Sequence, residues 1–117
     1  MKLFMCGLML SFLVQAQPKT EIFVIQIFDR SMTVLSPQKR TEIFSVLVEN
    51  RSLSDQIGKF IVKGKLIKFV SVKSGITESV EIENKTKANV VFMPVSPAFQ
   101  DTELIFGKKA YEIPSKK

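Results

Sequence analysis

The sequence predicts an all-β fold, a two-layer antiparallel sandwich of about seven to eight short strands. Three observations predict it. Short runs rich in Val, Ile and Phe recur along the chain, and the clearest of them alternate apolar and polar residues with the period of a strand. Gly, Pro, Asn and Ser punctuate the gaps between runs. No segment after the N-terminal apolar stretch keeps a helical period for three turns, and "RSLSDQIGKF" (51–60) has room for one short helical turn at most.

The elements follow in order. "EIFVIQIF" (21–28) is apolar on both faces, as a strand buried between layers would be. "EIFSVLVEN" (42–50) puts Phe44, Val46 and Val48 on one face and Ser45 on the other. "KFIVKGKLIKFVSV" (59–72) reads as a hairpin around Gly64. "TESVEIEN" (77–84) sends Val80 and Ile82 one way and Ser79, Glu81 and Glu83 the other. "NVVFM" (89–93), "TELIF" (102–106) and "AYEI" (110–113) complete the set. Strands with one apolar and one polar face suit two sheets packed face to face better than a small closed barrel, the alternative architecture. Strand number and chain length then suggest an immunoglobulin-like sandwich over residues 21–114, followed by a basic tail, 115–117.

The chain opens "MKLFMCGLMLSFLVQAQPKTE". Lys2 supplies a positive start, Leu3 to Val14 is apolar apart from Gly7 and Ser11, and Val14-Gln15-Ala16 offers small residues at the two positions a signal peptidase reads. Residues 1–16 are therefore expected to be a secretory signal peptide cut before Gln17, with 17–20 a flexible mature start. The apolar run is shorter than the roughly 20 residues that span a bilayer, which disfavours an uncleaved anchor. Cys6 lies inside that run rather than after it, which disfavours acylation. An exported protein, periplasmic or extracellular, is the expectation, with no transmembrane span after cleavage. Cleavage removes the only cysteine, so packing and not a disulfide must hold the fold.

Composition removes several chemistries. The chain has no His, which excludes His-based acid–base catalysis and imidazole metal sites. Glycines number five and form no phosphate-binding cluster. Tryptophan is absent and Tyr111 is the sole tyrosine, so a flat sugar-stacking platform is hard to build. Glu81 and Glu83, with Glu78 nearby, could form a carboxylate site, but they fit a solvated strand face opposing lysines far better. No catalytic residue, metal or cofactor is expected, and the protein is read as non-enzymatic. The formal net charge of +6, lowered by one when Lys2 is removed, favours anionic surfaces but is too mild to imply nucleic acid.

Two segments look alike, "VLVENRS" (46–52) and "VEIENKT" (80–86). Shared turn chemistry explains them best, since Asn tolerates left-handed backbone and Ser or Thr bonds the turn. Both are also N-glycosylation sequons, Asn50-Arg51-Ser52 and Asn84-Lys85-Thr86, relevant only to a host that secretes through an endoplasmic reticulum; the short signal peptide favours a bacterial host.

The stretch "VLSPQKRTEIFSVLVEN" and the closing "YEIPS" resemble the immunoglobulin-like domain of periplasmic pilus chaperones and their major-sperm-protein relatives. The resemblance spans Thr33 to Pro114 and implies the fold. Those chaperones also carry a second domain and a basic pair that anchors a subunit carboxylate, and neither has a clear counterpart in this sequence.

Two places suggest contact with a partner. In the 59–73 hairpin, Lys59, Lys63, Lys65, Lys68 and Lys73 occur with no acid between Asp55 and Glu78. Val62 is expected to oppose Leu66, Phe60 to oppose Lys68, and Ile61 to oppose Ile67. Ile61 and Ile67 would then dock a partner that the lysines steer, or the lysines would simply guard a sheet edge. In "VVFMPVSPAFQ", Pro94 is expected to end the strand, leaving Phe99 as a plug over the core or an anchor for a partner. The function expected is a non-catalytic interaction module binding a protein of the cell envelope or outside the cell, or serving as an accessory subunit of a surface assembly. The alternative is a lysine-mediated binder of anionic polymer or membrane headgroups.

Overall fold

The computed structural model describes residues 21–96 and 100–114. Nine strands occur among them: β1 (Ile22–Ile27), β2 (Ser31–Leu35), β3 (Ile43–Asn50), β4 (Gln56–Val62), β5 (Lys65–Val72), β6 (Thr77–Glu83), β7 (Val90–Ser96), β8 (Thr102–Leu104) and β9 (Tyr111–Pro114). They form a five-stranded sheet, β9-β2-β1-β3-β6, and a four-stranded sheet, β5-β4-β7-β8. The two sheets pack together and remain unclosed, so the molecule is a sandwich and not a barrel. The β8-β7-β4-β5 order opposite the β3–β6 pair matches the G-F-C-C′ and B-E strands of an immunoglobulin core.

Alternation builds the core. Phe23, Ile25 and Ile27 of β1, Phe44, Val46 and Val48 of β3, and Met32 and Val34 of β2 are buried from one side. Phe60 and Val62 of β4, Val70 and Val72 of β5, and Phe92 of β7 meet them from the other. Each fully buried side chain of this size contributes about 1.5–3 kcal/mol. Phe23, Phe44 and Phe106 form an edge-to-face trio, with centroids 4.9–5.3 Å apart. Phe60 and Phe92 form a second pair at 5.1 Å.

Several expectations change. Sheet pairing is not wholly antiparallel, because β1 runs parallel to β3, from Ile22 opposite Ser45 to Ile27 opposite Asn50. Strand β1 is central in its sheet but is covered on one side only: Phe23, Ile25 and Ile27 point inward while Ile22 is 40% exposed. Strand β2 was not expected, since "SMTVL" is short and its pattern gains meaning only beside β1 and β9. No helical turn occurs in 51–60, where Gln56 already starts β4. The run at 102–106 is strand only to Leu104, and Phe106 bends away into the aromatic trio before Gly107.

Pro94 does not end its strand. β7 continues through it to Ser96, with Pro94 opposite Gly58 and then a register shift that leaves Val95 as an extra residue. Proline lacks a ladder donor, and a bulge is one of the few places in a sheet that tolerate it. The β8 partner of β7 also stops early, since its pairing covers Val90 to Phe92 only.

Candidate functional site

The β4–β5 hairpin is the element on which most of the suspected residues lie. Its tip is a two-residue turn, Lys63-Gly64, with φ of 53° and 78°. Two successive left-handed residues are the type I′ geometry that matches strand twist. Val62 therefore pairs with Lys65, and Ile61 with Leu66. A bulge follows, and pairing resumes as expected with Phe60 opposite Lys68. The extra residue is Ile67.

That single insertion inverts the expected faces of the tip. Ile67 turns inward, half-buried against the core, and is not a free docking residue. Leu66 turns outward and is 53% exposed, and Phe69, opposite Lys59, is 55% exposed. On the outer face these join Ile61 and Val91, which pair with each other, and Met93, which pairs with Lys59. Val95, in the bulge beyond, is 42% exposed. The outer face of the four-stranded sheet is thus largely apolar, with Lys59 at its centre between Phe69 and Met93. Among the described residues the ion pairs are Arg51–Glu49 and Lys85–Glu83, so Lys59 has no acid of its own. Lys63 and Lys65 are exposed at the tip and Lys68 at the sheet edge. Phe99 lies outside the described residues.

Sequence reasoning missed Leu66 as a surface residue because a bulge decides its side of the sheet and leaves no mark in a period-two pattern; Phe69, Met93 and Val95 follow plain alternation on the outer face and were not singled out. The carboxylates fall apart as a site. Glu81 and Glu83 face solvent opposite Ser45 and Ile43, not opposite lysines, while Glu78 is paired with Val48 on the other face of its strand. No group of three or more metal-ligating side chains occurs among the described residues.

The two look-alike segments fold into the same turn. Asn50 Oδ1 accepts from the Ser52 N–H and hydroxyl at 3.0 and 2.6 Å, and Asn84 Oδ1 accepts from the Thr86 N–H and hydroxyl at 3.0 and 2.7 Å. Each Asn Nδ2 donates to the carbonyl four residues on, of Ser54 or Ala88. The folded protein thus uses both asparagines as turn closers, and Asn50 is only 1% exposed.

Tyr111 ties β9 to β8: its hydroxyl donates to the Glu103 carbonyl at 2.6 Å, and the Lys108 ammonium lies 4.1 Å from its ring centre. Burial, with Glu103 adding to it, pushes the phenol above its ordinary value of 10.0. A raised phenol pKa favours the folded state below the ordinary value, and that stability is lost as pH rises through the raised one. As the sole tyrosine in a chain without tryptophan, it can be read directly. Tyrosinate absorbance should appear at a higher pH in the folded protein than in denaturant; coincident titrations would show that the ring is solvated.

The fold and its surface define the class as an immunoglobulin-like β-sandwich with one apolar outer sheet face. No family model matches the sequence, and no curated protein or solved structure compared with it gives a significant match.

Proposed function

We propose that the protein is an exported, non-catalytic interaction module that binds a protein partner of the cell envelope or beyond it through the outer face of its four-stranded sheet. The observation that carries this is the exposed apolar face around Lys59, bearing Leu66, Phe69 and Val95. Exposed apolar surface that is contiguous and rimmed by charge marks contact sites. The partner fits best as an apolar surface with a carboxylate at its middle, because Lys59 is held where a docked partner must satisfy it. A two-fold self-association would set lysine against lysine and is disfavoured by the same charge.

The expected result is that the double substitution Leu66→Ser and Phe69→Ser leaves melting nearly unchanged, since both side chains are more than half exposed. It should abolish capture of a partner that the parent retains from its own envelope fraction at raised salt. Capture that survives the substitution, or a parent that self-associates through these residues, would overturn the proposal. Replacing Lys63, Lys65 and Lys68 by Gln should slow association and leave the bound state largely intact.

A further inference from the structure

The lysines are distributed unevenly between the two ends of the sandwich. At one end the β4–β5 tip and the β6–β7 turn flank a hollow of about 280 Å³ lined by Val62, Lys63, Lys65, Ile67, Lys85 and Glu83, the last two ion-paired at 3.4 Å. The turn, with Asn84, Lys85 and Thr86, also borders the β2–β3 loop at Arg40 and Glu42. That loop, through Lys39 and Thr41, adjoins Glu21 at the start of the described chain. The β8–β9 connection joins the same end, where the Gly107 N–H donates to the Pro37 carbonyl. Lys39, Lys63, Lys65, Lys85, Lys87 and Lys108 are all exposed there. Arg40 is instead a staple, donating to the Thr86 and Ala88 carbonyls and lying over the Phe106 ring.

The opposite end is balanced. There Asp29 and Asp55 accept from the Leu53 and Ser74 N–H groups, beside Arg30, Arg51 and Lys73. Net positive charge is therefore a property of one end and not of the whole surface.

We infer that this basic end docks the domain on an anionic lipid surface. Two features favour a bilayer over a polymer. The lysines come from separate loops and cap an end, whereas a chain-like anion would be tracked by a groove. The hollow between them has an apolar floor of Val62 and Ile67, suited to the boundary between headgroups and acyl chains. This site borders the sheet face and shares the tip lysines Lys63 and Lys65 with it, but the apolar face itself would stand at an angle to the bilayer and remain open to a partner.

The test is co-sedimentation of the protein with phosphatidylcholine vesicles that do or do not contain phosphatidylglycerol. Binding should require the anionic lipid and should be released by salt. Replacing Lys65, Lys85 and Lys87 by Gln should weaken binding at least about tenfold, given the contribution of each lysine near a charged surface. Replacing Lys59, Lys68 and Lys73 by Gln removes the same charge from elsewhere and should change binding much less. Equal loss in the two triple variants, or no preference for the anionic vesicles by the parent, would overturn the inference. So would tighter binding to soluble dextran sulfate with the same lysine dependence, which would make the end a polymer site.

Discussion

Replacing Asn50 by Ala should destabilise the protein by about 3–4 kcal/mol, more than any exposed substitution. The side chain is 1% exposed and uses its whole bonding capacity. Its Nδ2 donates to the Val72 carbonyl at 2.8 Å and the Ser54 carbonyl at 2.9 Å, and its Oδ1 accepts twice from Ser52. Asn50 belongs to the five-stranded sheet and Val72 to the other, so one amide fastens the two layers. Ser52, itself buried, accepts in turn from Gln56 Nε2 at 3.0 Å. Truncation would strand several buried polar groups at once, each costing about 1–3 kcal/mol if no water reaches it. A domain of this size would lose roughly 15–25 °C in Tm. Asn50→Asp should do no better, because it sets a carboxylate against two carbonyls. Asn84→Ala removes the same turn without the bond between sheets and should cost about half as much. Thermal melting of the three variants checks the order; equal losses at Asn50 and Asn84 would show that the link to Val72 contributes nothing.

Gly58→Ala should cost about 2–3 kcal/mol, although the change adds one methyl group. A Cβ at Gly58 would lie 2.5 Å from Phe92 Cε1 and 2.6 Å from Cζ. The Phe92 ring, 1% exposed, sets its Cε1–Cζ edge against the glycine and packs against Phe60. It has nowhere to go, because the core fills the space beyond. The pair should be coupled: in a Phe92→Leu background the same Gly58→Ala change should cost distinctly less. Denaturant unfolding of the cycle would measure the coupling, and additive losses would mean that the ring yields without strain.

Much of the fold was legible in the sequence. The alternation in 42–50 and 77–84 determined two strands with one buried face each, and those strands pair in the structure as β3 and β6. The shared "EN-basic-Ser/Thr" endings determined two identical turns, because an Asn side chain reaches its own backbone two residues on. Local chemistry carries such features, and local chemistry is what a sequence displays.

The candidate surface was not legible in the same way. The sequence by itself determined an all-β chain, its strand-rich core and the absence of His-based chemistry. Tertiary structure decided which side of the sheet Ile67 and Leu66 occupy, because a single-residue bulge reverses side-chain parity and depends on pairing with β4. It decided that Pro94 could continue a strand, since a bulge beside it and a short β8 removed the need for a donor. It also decided the charge asymmetry. Lysines spread from Lys39 to Lys108 share one end only because four separate loops return there, and no local pattern encodes where distant loops meet.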